Sequence, residues 1–193
     1  MAMQQPLAAV TVELDVPMQT RDGVTLRANS YRPQGAGRWP VLMTRLPYGK
    51  DLPIGSALLD PVQAARRGYA VIVQDTRGTG RSEGEWHPFV HEAPDGEDAI
   101  AWAAALPYSN GEVGMFGASY FGFTQWAAAV RRPPALKAIV PFETWRDPFN
   151  GLGGRGGALE LGTIASWNLE MGMNVLLRRY ALDPQALAAA LWS

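Results

Sequence analysis

The chain of 193 residues has no cysteine, which excludes disulfide frameworks, thiolate metal sites and a cysteine nucleophile together. No cluster of metal-ligating side chains stands out either, and no cofactor is expected. An excess of one charge is also missing. Seventeen Lys and Arg face eighteen Asp and Glu, a formal net charge of −1, so neither nucleic acid nor a membrane surface is an expected partner. The arginine pairs Arg66-Arg67, Arg131-Arg132 and Arg178-Arg179 form no patch; each closes a predicted helix, where positive charge suits the dipole. No apolar run reaches membrane-spanning length, and Met1–Ala9 lacks the basic start and apolar core of a secretory signal. The expected compartment is the cytoplasm. What the chain has in quantity is apolar surface: 47% hydrophobic against 18% charged residues marks a folded globular protein able to bury one core.

The periodicity predicts an antiparallel hairpin first, with alternating strands at 10–16 and 24–31 around the turn Arg21-Asp22-Gly23. A strand at 41–46 follows, ending at Pro47-Tyr48-Gly49. Asp60-Pro61 supplies cap and first-turn proline for a helix that Arg66-Arg67-Gly68 stops. Residues 69–73 form a continuous apolar run, as in a strand buried on both faces, and a glycine-rich loop at 75–84 comes next. Asp75 and Arg77 are expected to brace that loop by binding backbone and each other. A helix is predicted from near Pro94, with Asp95, Glu97 and Asp98 at its positive end and Ala99, Trp102, Ala103 and Leu106 on one face. Further on come a strand at 113–116, a helix at 123–130 and a strand at 136–140. Strand and helix alternate from Tyr69 onward, which predicts a mostly parallel α/β sheet preceded by an antiparallel hairpin.

The stretch from Gly111 to Gly122 organises the rest. An apolar strand runs into Gly117-Ala118-Ser119-Tyr120, and a helix follows. A serine on a tight strand-to-helix turn between small neighbours is the arrangement of a nucleophile elbow. The spacing is G-x-S-x-x-G, with Phe121 where the last glycine of the commoner motif stands. The same string also fits a serine that merely caps a buried helix.

Beyond Pro141 the composition shifts to glycine and aromatics, then to helices predicted at 158–167, 169–180 and 185–192. The last is apolar and uncapped, so the sequence reads as cut short. Strand 136–140 is then expected to form an unprotected sheet edge open to association, and Trp145, Phe149, Trp167 and Trp192 to lack part of their packing surface. Gly151-Leu152-Gly153-Gly154-Arg155-Gly156 spells G-x-G-x-x-G and Gly78-Thr79-Gly80 follows a buried strand. Neither sits in the strand, turn and helix succession that a dinucleotide site needs.

Taken together, several separated motifs give a family resemblance. They are Arg21-Asp22-Gly23-Val24 leading to Tyr31, Arg45-Leu46-Pro47-Tyr48-Gly49-Lys50, Gln74-Asp75-Thr76-Arg77-Gly78 with Ser82-Glu83-Gly84, Asn110–Gly122, Leu136–Pro141 and Gly156-Gly157-Ala158. In these the chain resembles the N-terminal portion of the X-Pro dipeptidyl-peptidase and cocaine esterase (CocE/NonD) family. The resemblance implies an incomplete α/β-hydrolase fold, with residues 1–141 as the N-terminal part of the hydrolase domain and 142–193 as the start of a helical cap. It also implies acyl transfer from a small-molecule or short-peptide ester or amide to Ser119. The oxyanion would be held by the backbone N–H of Tyr120 and the hydroxyl of Tyr48; a satisfied core tyrosine is the other reading of Tyr48.

A serine hydroxyl needs a base, and in this fold the acid and the base follow the serine. Both histidines, His87 and His91, precede Ser119. Glu143 is the best placed of the later carboxylates, though none matches the family's acid motif. The chain is therefore expected to be inactive or a very weak hydrolase by itself, either part of a serine hydrolase or a remnant that keeps only a binding cleft.

Overall fold

The computed structural model describes residues 8–192. Most of Met1–Ala9, the stretch expected to carry no secretory signal, lies outside the described residues. One six-stranded sheet carries the fold, in the order β1 (Val10–Gln19), β2 (Thr25–Pro33), β4 (Ala70–Asp75), β3 (Trp39–Leu46), β5 (Ser109–Ala118) and β6 (Leu136–Phe142). The last four run parallel, while β1 pairs antiparallel with β2 and β2 antiparallel with β4. Mostly parallel strands after an antiparallel hairpin are what the alternation of patterns predicted.

Alternation along each strand divides two cores. Val41, Met43, Ala70, Ile72, Val113 and Met115 face helix α2 (Glu92–Ala105) and helix α3 (Ser119–Ala129), with Ala99, Ile100, Ala103 and Ala128 filling between them. Val71, Val73 and Leu46 face the other way, toward the short helix α1 (Pro61–Arg66). Asp60 starts α1 as expected: its carboxylate accepts from the N–H groups of Val62 and Gln63 at 2.9 and 3.1 Å.

Three boundaries differ from expectation. Helix α2 starts at Glu92, because Pro94 occupies the first turn, where its missing N–H has no carbonyl to reach. Helix α3 starts at Ser119 itself, since the chain turns on single residues rather than through a loop. Ala158–Leu159 is a strand, β8, paired with β7 (Gly154–Arg155), and the two helices expected between 158 and 180 are one, α4 (Leu161–Arg179), followed by α5 (Pro184–Leu191). Asn168 does not interrupt α4; its amide donates to the Ile164 carbonyl at 2.8 Å within the same helix. The glycines at 151–156 run into the β7–β8 hairpin, not directly into a helix. Among the described residues no helix is long and apolar enough to cross a membrane.

Candidate active site

Strand order decides where the site lies. Strand β3 sits between β4 and β5, so the connections from its end and from the end of β5 leave the same edge of the sheet. Such a switch in strand order opens a crevice at the carboxyl ends of parallel strands. Met43 pairs with Met115, and continuing that register brings Pro47 opposite Ser119. Topology alone therefore places the Pro47-Tyr48 corner across from the serine.

Ser119 has φ +52°, in the left-handed region that a non-glycine residue occupies only under strain. It follows the last residue of β5 and begins α3, and it stays partly exposed. The close return of the helix onto the strand explains the glycines. A Cβ at Gly117, itself at φ +148°, would lie 2.4 Å from the Phe121 ring and 2.7 Å from its carbonyl oxygen. A Cβ at Gly122 would lie 2.6 Å from the Cβ of Thr144. The spacing G-x-S-x-x-G is thus explained on both sides: Gly117 admits the helix, and Gly122 admits the segment after β6. Phe121, in the place of the usual glycine, is buried and meets Tyr48 edge-on at 6.2 Å.

The turn is held from beneath. Buried Gln125 donates to the carbonyls of Gly117 and Phe121 at 3.1 and 2.9 Å and accepts from the Val140 N–H at 2.9 Å, tying elbow to β6. Thr144 donates to the Ser119 carbonyl at 2.7 Å. Tyr120, fully buried, donates its phenol to Glu92 at 2.9 Å and accepts from the Phe89 N–H at 3.0 Å. Burial raises the Tyr120 phenol far above its usual range, and the neighbouring Glu92 carboxylate adds to this. Glu92 is raised by its own burial, against the pull of Arg45, which it meets at 3.2 Å. The Tyr120 backbone N–H lies in the first turn of α3, where no carbonyl of the same helix precedes it.

The Tyr48 corner is braced by Asp75. Its buried carboxylate accepts from the Lys50 N–H at 2.6 Å and the Arg81 N–H at 3.0 Å. The expected pairing with Arg77 does not occur. Arg77 reaches instead to Asp95 and Asp22, holding the loop to α2 and to the β1–β2 turn. Burial raises the Tyr48 phenol, while the Trp167 indole and the Ser119 side chain pull it back.

Aromatic side chains wall the crevice. Trp167 of α4 stacks on Phe89 and Tyr120 at 5.8 and 6.0 Å and meets Trp86 edge-on; Trp145 stacks on Phe123. Of the four aromatics expected to lack packing, Trp145 and Trp167 are packed, whereas Phe149 and Trp192 are 85% and 91% exposed. The histidines lie elsewhere: His87 faces Glu85 at 3.6 Å and the His91 ring at 6.1 Å. Among the described residues neither hydrogen bonds to Ser119, and Glu143 is exposed. Nor do three or more His, Asp or Glu converge as a metal would require, among the described residues. Sequence reading missed Gln125, Thr144, Phe89 and Glu92 as supports of the elbow. A glutamine inside an alanine-rich helix was the one available signal, since a buried amide must find partners.

Comparison with known proteins gives the family and the fold. The family model described as X-Pro dipeptidyl-peptidase (S15 family) matches residues 22–192. The cocaine esterase of Rhodococcus sp. (strain MB1 Bresler) is 40% identical over 186 residues, covering 93% of this chain and 32% of the esterase. A CocE/NonD family hydrolase from Staphylococcus aureus superposes with a TM-score of 0.80 at 30% identity, covering 95% of this chain and 36% of that one. An α-amino acid ester hydrolase matches at a TM-score of 0.63 and 30% identity, over 76% of this chain and 28% of its own. The chain spans between 25% and 32% of the length of the curated relatives it matches.

Proposed function

The chain belongs to the X-Pro dipeptidyl-peptidase (S15) family of hydrolases, and from that premise we propose that it carries the nucleophile and oxyanion donors of a serine acyl hydrolase. The observation that carries this reading is the strained Ser119, turned up just past the end of β5 across from the Pro47-Tyr48 corner. In the proposed reaction the Ser119 Oγ attacks the carbonyl carbon of an ester or amide. Negative charge grows on the carbonyl oxygen, where the Tyr120 N–H and the Tyr48 hydroxyl stabilise it, each by about 3 kcal/mol. Collapse of the tetrahedral adduct expels the alcohol or amine and leaves an acyl-enzyme on Ser119, which water then cleaves.

The attack requires a base to take the serine proton and a carboxylate to orient that base. Neither histidine hydrogen bonds to Ser119 among the described residues, and we assign both relay residues to sequence outside this chain, consistent with its span of about a third of the cocaine esterase. In this reading residues 1–141 are the N-terminal part of the hydrolase domain and 142–193 begin its cap. The substrate is a small-molecule or short-peptide acyl compound and no cofactor takes part. We place the protein in the cytoplasm, supported by the absence of cysteine.

A second reading has one observation in its favour, the missing base: the chain is an inactive remnant that keeps only a binding cleft. A fluorophosphonate probe with intact-mass detection separates the two. A single adduct, formed slowly without the base and absent in Ser119→Ala, supports the hydrolase reading, and no adduct after prolonged exposure supports the remnant. By either reading the chain alone turns over activated esters far more slowly than a complete triad enzyme, because only residual catalysis survives loss of the relay. Full-rate ester hydrolysis abolished by Ser119→Ala would overturn that expectation.

A further inference from the structure

The indole of Trp167 meets Tyr48 in a way that stacking alone does not require. Its Nε1 lies 3.3 Å from the Tyr48 oxygen, linking residues 119 positions apart in sequence. An indole nitrogen can only donate, so in this contact the phenol oxygen accepts. The phenol's single proton is then left to point elsewhere, on a corner that the β3–β5 register sets across from Ser119. A hydroxyl that accepts one hydrogen bond also becomes a better donor of the next. Trp167 itself is fixed by its ring, lying nearly parallel to Phe89 and Tyr120 with interplanar angles of 20° and 25°. Phe89 is held in turn at φ +70°, its N–H bound to the Tyr120 phenol.

We infer that Trp167 is a positioning residue for the oxyanion donor: its N–H seats and polarises the Tyr48 hydroxyl, so that docking of α4 on the aromatic wall sets the strength of that donor. This rests on the reading of Tyr48 as an oxyanion donor. It gives the cap a task at the reaction centre apart from enclosing substrate. With α4 lifted, the Tyr48 hydroxyl loses its orienting partner and can turn its own proton away from the serine.

Two measurements on the full chain decide it. The first follows the Trp167 indole N–H by NMR, assigned through its nuclear Overhauser contacts to the Phe89 and Tyr120 rings. In Tyr48→Phe, which cannot accept, the resonance is expected to move upfield and its exchange with solvent to quicken; an unmoved resonance overturns the inference. The second is a double-mutant cycle on the rate of fluorophosphonate labelling at Ser119. Trp167→Phe keeps an aromatic ring on Phe89 and Tyr120, and the loss of one polarising hydrogen bond is expected to slow labelling about 3- to 10-fold. In the Tyr48→Phe background the same change is expected to cost nothing, because a residue acting through Tyr48 has nothing left to act on. An equal loss in both backgrounds assigns Trp167 to packing and overturns the inference alone. Tyr48→Phe without effect on labelling overturns the oxyanion reading, and an unlabelled wild-type chain overturns the nucleophile reading; either result removes this inference as well. Should Trp167→Phe fail to fold, the indole resonance in Tyr48→Phe still decides.

Discussion

At Gly117 a hydrogen stands where any other residue would drive a carbon into Phe121, and the close contact includes backbone oxygen that cannot swing aside. Gly117→Ala is therefore expected to lower stability by about 3 kcal/mol or more, combining left-handed strain with overpacking. Urea unfolding measures this; a loss below about 1 kcal/mol would show that helix and strand can part at the elbow without penalty. Asp22 gives a prediction of a different kind. The Arg77 guanidinium, and then the Thr20 hydroxyl, hold its carboxyl well below the ordinary range. A lowered carboxylate contributes stability that is present above the unfolded value of about 3.9 and is lost as pH falls through the folded one. The stability gap between wild type and Asp22→Asn should thus be widest near neutrality and narrow steadily below about pH 4. A gap that stays constant in urea titrations across this range would remove Arg77 as the cause.

Among the elements, those announced by local chemistry could be read directly. Asp60-Pro61 marked α1 because cap and proline act within one turn, and the apolar run before Asp75 marked β4 because both of its faces are covered. Misplaced boundaries came from local rules with more than one outcome. A proline is tolerated anywhere in the first turn, so Pro94 did not fix where α2 begins, and Asn168 found a partner inside its own helix. The candidate site divides in the same way. Ser119, Tyr120 and Tyr48 stand in short strings that the family resemblance picks out, and the pairing of β3 with β5 brings the strings together. The supports could not be read, because each is a side-chain contact across the fold. Thr144 to Ser119, Glu92 to Tyr120 and Trp167 to Tyr48 leave no mark in spacing. Asp75 and Arg77 show the converse, since neighbours in sequence took separate partners.

Across the whole molecule the two edges of the sheet are unequal. Strand β1 is irregular: its register shifts between Glu13 and Val16, and Asp15 stands at φ +56°, a break that discourages pairing with another chain. Strand β6 is the opposite edge, with Val140 63% and Phe142 53% exposed and an apolar groove beside it lined by Leu42, Leu58, Phe116 and Phe142. The chain is expected to associate through β6 as its concentration rises, and Phe142→Lys to suppress this. Sedimentation velocity reads both, and a wild-type chain that stays monomeric at every concentration would show that the edge is protected by other means.

Helix α4 rests lightly on all of this. Of its nineteen residues only Met171 is buried, and its attachments include the stacked ring of Trp167, its indole on Tyr48 and the Arg178 guanidinium on the Ser82 carbonyl. Held by its C-terminus and drawn out in an optical trap, the molecule should unravel this segment at low load, well before the strands shear, and the fluorescence of its indole should report the moment of release.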